Sequence, residues 1–244
     1  MTRRPRLSIV TSFPADPSAP RGGVEAVSVT LVDALMSLED FDIDVVTTDR
    51  DRTSPTTAMW KRAKVHRLPQ QADRILVDAT GPGRRQMHRY LAALRPDVVH
   101  AHDVYGLMVS GLALPRVMTI HGFIHGDTIV SGGRFRTLRS WLWKRAEHQA
   151  WRDHPHIVSI SPYVRERLSG IARGKIHDIE NPISSACFDV ERRESGLTVF
   201  SAAVICRRKN TLALVEAFAQ LVKDGADARL RLAGPVTEPA YGAL

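Results

Sequence analysis

The chain has 244 residues, of which 43% are hydrophobic and 25% are charged, and its formal net charge is +8. This composition is typical of a globular protein with a buried core, and the positive charge favours acidic partners such as nucleotide diphosphates or anionic lipid surfaces. The apolar runs are shorter than the roughly 20 residues of a transmembrane helix, and no secretory signal follows the basic N-terminus. Two cysteines do not suggest a disulfide framework. We therefore expect a cytoplasmic protein.

Short apolar runs alternate with amphipathic stretches over most of the chain, which predicts an α/β domain with a mostly parallel sheet. The runs are apolar throughout, as in strands that helices cover on both faces. Predicted strands lie at 7–13, 43–47, 65–68, 97–101, 116–120, 156–161 and 175–179. Predicted helices lie at 24–38, 86–94, 104–112, 134–152 and 163–171.

The last part of the chain repeats this alternation once, as strand 197–205, helix 211–223 and strand 228–233. In the helix, Leu214, Phe218 and Leu221 are predicted to face inwards. We therefore predict a Rossmann-like N-terminal domain at 1–182, a polar linker at 183–196 and a second Rossmann-like domain at 197–244. A single β-α-β unit buries little surface and leaves an open sheet edge, so we expect this second domain to be incomplete and the chain to be truncated.

Six short motifs occur in a definite order along this pattern. They are GGVE at 22–25, PDVVHAH at 96–102, TIHG at 119–122, SISP at 159–162, NPI at 181–183 and RKN at 208–210. This ordered set resembles family 4 of the retaining glycosyltransferases, over essentially the whole chain. The resemblance implies the GT-B fold, with two facing Rossmann-like domains, the acceptor on the first, the nucleotide-sugar donor on the second, and no required metal.

Two of the motifs stand where α/β sheets bind ligands. Gly22 and Gly23 precede a helix N-terminus, where glycine lets a ligand come close and free N–H groups favour an anion; a turn needed only for geometry is the alternative. His121 and Gly122 follow a strand at its carboxyl end, where a loop-anchoring histidine is the alternative. The resemblance makes His121 the candidate catalytic residue, in contact with the transferred sugar, and places Gly22, Gly23, Gly122 and His102 on the cleft or acceptor side.

A basic run, Arg207 to Lys209, precedes the helix at 211–223, and Asn210 is a suitable cap for that helix. Cations at a helix N-terminus suit a diphosphate, and the resemblance assigns Arg208 and Lys209 to the leaving diphosphate of a UDP- or GDP-linked donor. A solvated basic loop is the alternative. The chain departs from the family pattern at Ala203-Val204, where a Gly-Arg pair is usual.

Further readings of the sequence compete with this one. His100, His102 and Asp103 suit a metal-dependent hydrolase, but such a site needs further ligands at suitable spacing, and we predict no metal. A nicotinamide-dependent oxidoreductase needs a tight glycine-rich turn after the first strand, which this sequence lacks. The basic residues and tryptophans of 134–152 fit either a helix lying on an anionic membrane or a core helix with a charged outer face. No nucleic-acid-binding motif accompanies the charge.

We therefore predict a glycosyltransferase that moves a hexose from a nucleotide sugar to a saccharide or lipid-linked acceptor with retention, in polysaccharide or glycoconjugate biosynthesis. The pair of donor-binding glutamates that the family carries late in its second domain has no match after Glu238. The isolated chain is thus expected to show little turnover, and an inactive remnant or an acceptor- or membrane-binding module is the alternative.

Overall fold

The structure is a computed structural model that describes residues 3–131, 133–191 and 196–243. The chain falls into two compact units. Unit 1 comprises Met1–Phe123 and Trp141–Cys187, and unit 2 comprises Ile124–Ser140 and Phe188–Leu244. The segment 124–140 thus groups with the end of the chain, a grouping that chain order alone does not suggest.

The described elements alternate between strands and helices. The strands are β1 (Arg6–Val10), β2 (Asp42–Asp49), β3 (Thr56–Trp60), β4 (Ala63–Pro69), β5 (Val98–His102), β6 (Arg116–Ile120), β7 (His156–Ser159), β8 (Lys175–Asp178), β9 (Leu197–Ala202) and β10 (Ala228–Ala233). The helices are α1 (Gly23–Leu38), α2 (Ile75–Thr80), α3 (Pro82–Leu94), α4 (Val104–Val109), α5 (Ile124–Val130), α6 (Arg136–Asp153), α7 (Pro162–Leu168), α8 (Thr211–Lys223) and α9 (Pro239–Gly242).

Unit 1 is built on an eight-stranded sheet with the order β3-β4-β2-β1-β5-β6-β7-β8. Its strands run parallel apart from β3, which is antiparallel to β4. Helix α1 packs against the sheet through Ser28, Val32 and Met36, which are spaced four residues apart and therefore lie on one helix face. Ile9 and Val45 are fully buried beneath it. The expected parallel α/β architecture is confirmed.

Strand β3 and helix α2 were not predicted from the sequence. All of β3 except Trp60 is exposed to solvent, so the strand lacks the apolar pattern by which buried strands are recognised. The turn into β4 contains no glycine or asparagine; instead Lys61 adopts a positive φ of 51°. A turn of this kind gives no sequence signal, because lysine rarely takes this conformation.

Unit 2 contains one β-α-β motif, in which β9 and β10 pair in parallel and α8 connects them. Leu214 and Phe218 are partly buried, as predicted, but Leu221 is 40% exposed, so its inward orientation was wrong. The predicted cap was also wrong: Asn210 has φ 52° and ψ 42°, and its side chain does not bond to the helix. A capping side chain requires an extended residue, whereas Asn210 is left-handed.

Candidate sugar-binding edge and phosphate-binding turn

The carboxyl ends of the unit 1 strands bring the predicted histidines together. His102 is the last residue of β5, and His121 immediately follows β6, the neighbouring strand. Parallel strands that lie side by side end at the same edge of the sheet, which is where α/β folds bind ligands. His100, two residues before His102, lies on the same face of β5.

The three histidines form one contiguous cluster. Nδ1 of His102 lies 2.9 Å from Nε2 of His121, and the two rings stack at an interplanar angle of 29°. The rings of His100 and His102 are 4.6 Å apart. Nε2 of His100 lies 2.7 Å from the hydroxyl oxygen of Thr119. The cluster is therefore held by hydrogen bonds from its own members and from β6.

Burial keeps these imidazoles uncharged. Burial lowers the pKa of His100 to about 4, and the charge of His121 adds to the effect. Burial also lowers the pKa of His121 to about 4, although a hydrogen bond to the Asn181 side chain partly raises it. The pKa of His102 lies well below its usual value for the same reason, reinforced by its two histidine neighbours. At neutral pH the cluster therefore offers neutral hydrogen-bonding groups.

The loop after β6 is anchored independently of the imidazole contacts. The backbone N–H of His121 donates to Oδ1 of Asp103 at 2.7 Å, and Asp103 itself has φ 45°. The His121 side chain adds contacts to His102 and Asn181, so its role in ligand binding stays a prediction beside the loop-anchoring alternative.

A cavity of about 260 Å³ opens beside this cluster. Its lining includes His100, His102, His121 and Asn181 together with apolar residues of α1. Asn181 and Glu180 are both exposed. Polar groups at the edge of a largely apolar pocket are the usual composition of a small-molecule site.

The glycines at the start of α1 are not required by the fold itself. A Cβ atom added at Gly22, Gly23 or Gly122 would meet no heavy atom within 4 Å. Gly22 has φ −159° and ψ 170°, an extended conformation that any residue adopts.

The carboxylate of Glu25 lies in the first turn of α1 and accepts a hydrogen bond from the Arg21 N–H at 2.7 Å. Since this carboxylate supplies negative charge there, a neutral sugar suits the position better than an anion.

The predicted phosphate-binding residues lie in unit 2, on a single 3₁₀ turn formed by Arg207–Lys209. All three side chains are exposed, and the turn directly precedes α8. Nη1 of Arg208 lies 3.7 Å from Oδ2 of Asp127 in α5, and the guanidinium of Arg207 lies 5.8 Å from the ring of Tyr241. The turn therefore presents Arg208 and Lys209 to solvent at the beginning of a helix.

The tryptophans of α6 belong largely to the core. Trp143 and Trp151 are 5% and 2% exposed, whereas Trp141 is 55% exposed. Trp151 packs edge-to-face against Phe123 with ring centroids 5.5 Å apart. The core-helix interpretation therefore holds for Trp143 and Trp151. No helix within residues 3–131, 133–191 and 196–243 is both long and apolar enough to span a membrane.

The described residues contain no group of three or more His, Cys, Asp or Glu side chains that could hold a metal ion. In the histidine cluster, the facing nitrogens of His102 and His121 are hydrogen-bonded to each other.

Comparison with known proteins identifies the family. The model of Glycosyltransferase Family 4 matches residues 21–186, more than half of the chain. The chain belongs to glycosyltransferase family 4. The match spans α1, the histidine cluster and Asn181. No curated protein sequence matches the chain.

Solved structures show that this family 4 chain has the GT-B fold. It is similar to sucrose-phosphate synthase from Thermosynechococcus elongatus (TM-score 0.67, 17% identity, 95% of this chain and 62% of that chain). It is also similar to an E. coli structure described as trehalose-6-phosphate bound with UDP-2-fluoro glucose (TM-score 0.61, 11% identity, 98% and 67%). A third is alpha,alpha-trehalose 6-phosphate synthase from Burkholderia multivorans (TM-score 0.63, 13% identity, 98% and 65%). The chain thus spans about two thirds of these proteins.

Three contacts of the candidate site residues were not predicted from the sequence. Asn181 stood in a motif but carried no assigned role, and the structure bonds its side chain to that of His121. Asp103 was considered only as a metal ligand, and it holds the loop of His121. Asp127, far from Arg208 along the chain, carried no signal because their proximity depends on tertiary structure.

Proposed function

We propose that this chain transfers a hexose from a nucleotide-sugar donor to a saccharide or lipid-linked acceptor with retention of anomeric configuration. The observation that carries the proposal is the neutral histidine cluster at the carboxyl edge of the unit 1 sheet, in a chain of glycosyltransferase family 4. The roles of individual residues follow from their chemistry.

His121 and its neighbours suit binding of the transferred sugar, which is uncharged. A neutral imidazole ring can pack against the sugar without the desolvation cost of a buried charge. The pKa of about 4 keeps His121 uncharged at neutral pH. In this proposal His121 touches the transferred sugar, and Gly22, Gly23 and Gly122 leave room for the ligand against the backbone, with His102 behind His121.

Arg208 and Lys209 suit binding of the leaving nucleoside diphosphate, which is negatively charged. Negative charge grows on the leaving nucleoside diphosphate as the glycosidic bond to the donor breaks, and fixed positive charge stabilises that transition state. The two cations stand on a turn that leads into α8, so the helix N-terminus adds to their effect. The similar E. coli structure is bound with UDP-2-fluoro glucose, which makes UDP the first nucleotide to test, with GDP second.

A lipid-linked acceptor is supported by the surface of the segment 124–140. Phe135 and Leu138 are 64% and 55% exposed, and Arg134, Arg136 and Arg139 stand among them in the sequence. Exposed apolar side chains beside arginines suit an interface between an anionic headgroup and an acyl chain. Flotation with vesicles of phosphatidylglycerol and phosphatidylcholine tests this, and binding that persists unchanged in Phe135→Ser with Leu138→Ser would contradict it.

The function is tested by calorimetry and by turnover on the same protein. Titration of UDP and GDP should show binding that weakens about tenfold or more in Arg208→Ala and Lys209→Ala, because each variant removes a charge-assisted contact. Lys223→Ala removes the same charge from the far end of α8 and should bind like the wild type. If neither nucleotide binds, the donor assignment is wrong.

Turnover is measured as release of UDP or GDP from their glucose and mannose derivatives, with monosaccharides, disaccharides and polyprenyl phosphate sugars as acceptors. The product's anomeric configuration, read by proton NMR, distinguishes retention from inversion. Any transfer that the wild-type chain shows should be lost in His121→Ala, while nucleotide binding stays unchanged. Binding of acceptor or vesicles without any transfer would support the alternative of an acceptor- or membrane-binding module.

A further inference from the structure

His102 is the most deeply buried member of the histidine cluster. It is 1% exposed, and its Nδ1 atom contacts Nε2 of His121 at 2.9 Å. Its other ring nitrogen, Nε2, is buried and has no hydrogen-bond partner among the described residues. A neutral imidazole carries one N–H group and one bare nitrogen, so the position of the proton on His102 decides whether the unpartnered Nε2 is a bare nitrogen or a buried N–H group.

Two arrangements satisfy the contact between the two rings. In the first, Nδ1–H of His102 donates to Nε2 of His121, and the unpartnered Nε2 of His102 is a bare acceptor. In the second, Nε2–H of His121 donates to His102, and the unpartnered Nε2 of His102 carries a buried N–H. Buried donors without a partner are rarer and more costly than under-used acceptors, so the first arrangement is favoured.

The contact of His121 with Asn181 agrees with the first arrangement. When Nε2 of His121 accepts from His102, its proton stands on Nδ1, and Nδ1–H can donate to the side-chain oxygen of Asn181. Burial lowers the pKa of His121, and its bond to Asn181 acts in the raising direction. Asn181 is exposed beside the cavity, and its amide N–H groups remain available.

We propose that His102 is a positioning residue that holds His121 in the Nδ1–H tautomer. In this arrangement His102 donates a hydrogen bond to His121, and His121 donates one to Asn181. The role of this chain in sugar binding rests on the proposed function. The edge then offers the amide N–H groups of Asn181 to a ligand, and it selects a sugar oxygen that accepts a hydrogen bond at that point.

The tautomers are read by NMR on the full chain labelled with ¹⁵N-histidine, without ligand. Long-range proton–nitrogen correlations distinguish a protonated from a bare ring nitrogen, and the His121→Gln spectrum assigns the signals of His121 by their loss. At pH 7 the expected pattern has protonated Nδ1 and bare Nε2 on His121. A protonated Nε2 on His121 would overturn the proposal.

Matched variants test whether His102 determines the tautomer of His121. In His102→Asn, the amide N–H lies close to the position of Nδ1, so His121 should keep the single Nδ1–H pattern. In His102→Leu and His102→Gln, no donor lies at that position, and His121 should lose the single pattern and populate both tautomers. If His121 stays entirely Nδ1–H in whichever of these two variants folds, His102 does not position it. Because no ligand is used, this result is separate from success or failure of the transfer assay.

Discussion

Oδ2 of Asp127 lies 3.7 Å from Nη1 of Arg208, which pairs an acidic residue of α5 with the basic turn before α8. Both side chains belong to unit 2, and they are 57% and 41% exposed. An exposed pair at this distance contributes little to stability. Its consequence is functional, because a diphosphate that binds Arg208 has to compete with Asp127 for the guanidinium.

Asp127→Asn should therefore raise the affinity for UDP or GDP. Exposed ion pairs contribute about 0.2–1 kcal/mol, so we expect the dissociation constant to fall by up to about fivefold. Calorimetry measures it. Asp224→Asn is the control, since it removes the same charge at the other end of α8, roughly 20 Å away, where salt screens it. An unchanged affinity in Asp127→Asn would show that the pair does not compete with the nucleotide.

Gly22→Ala and Gly23→Ala should leave the folded state intact. Neither added methyl group meets an atom within 4 Å. Alanine at Gly23, the first helical residue, is at least as favourable as glycine, whereas at Gly22, the N-cap, glycine is preferred to alanine. The melting temperature should therefore stay the same or rise slightly in Gly23→Ala and fall by a few degrees at most in Gly22→Ala, while sugar transfer falls if a ligand approaches the backbone there. Thermal unfolding and the transfer assay, run on the same samples, separate the two effects. Full transfer activity in both variants would favour a turn glycine without a ligand.

Gly174→Ala should destabilise the folded state, in contrast to the two glycine variants at the start of α1. A Cβ atom at Gly174 would collide with the backbone carbonyl oxygens of His154 and Pro155. The backbone of His154 and Pro155 is held by hydrogen bonds to Ala150 and Lys175 and cannot move aside easily, so we expect a loss of about 2–3 kcal/mol in the free energy of unfolding. Urea denaturation measures it, and a stability equal to that of the wild type would contradict the packing at this position.

Acid should destabilise unit 1 through the histidine cluster. The pKa of His100 and of His121 is about 4 in the folded state, against roughly 6.5 in the unfolded chain. Between these values the unfolded state binds more protons, so the free energy of unfolding falls as pH falls, by roughly 1.4 kcal/mol per pH unit for each such histidine. Urea denaturation at pH 7, 6 and 5 should show this slope, and His121→Gln should have a shallower one.

A second buried network lies away from the candidate site, around Asp44. Oδ1 of Asp44 lies 2.8 Å from Nε2 of His66, and Nε of Arg6 donates to Oδ2 at 2.5 Å. The Asp44 side chain is 3% exposed. Burial acts to raise its pKa, but the bonds from His66 and Arg6 outweigh it and lower the pKa.

Asp44→Ala should cost up to about 3–5 kcal/mol of unfolding free energy, the figure for a fully buried pair, because it leaves buried His66 and partly exposed Arg6 without their shared partner. Chemical denaturation measures the loss. Asp33→Ala is the control, since Asp33 pairs with Lys61 at the surface and should cost less than about 1 kcal/mol. Comparable losses in the two variants would show that the Asp44 network is not a structural centre.

The sequence alone predicted the parallel α/β architecture and the position of His102 and His121 at strand ends. Both follow from short-range patterns: apolar runs mark buried strands, and chain order with right-handed connections places consecutive parallel strands side by side. Where a pattern was weak, the prediction failed. The exposed strand β3 shows no apolar alternation, and Asn210 adopts a left-handed conformation that its residue type permits but does not announce.

Only the tertiary structure decided the state and partners of these residues. The neutrality of the histidine cluster comes from desolvation, which depends on everything packed around the rings. The bond of His121 to Asn181 and the pair of Asp127 with Arg208 join residues that are 60 and 81 positions apart along the sequence. Residue type shows what each side chain can donate or accept, whereas its partner is set by which parts of the chain the fold brings within a few ångströms.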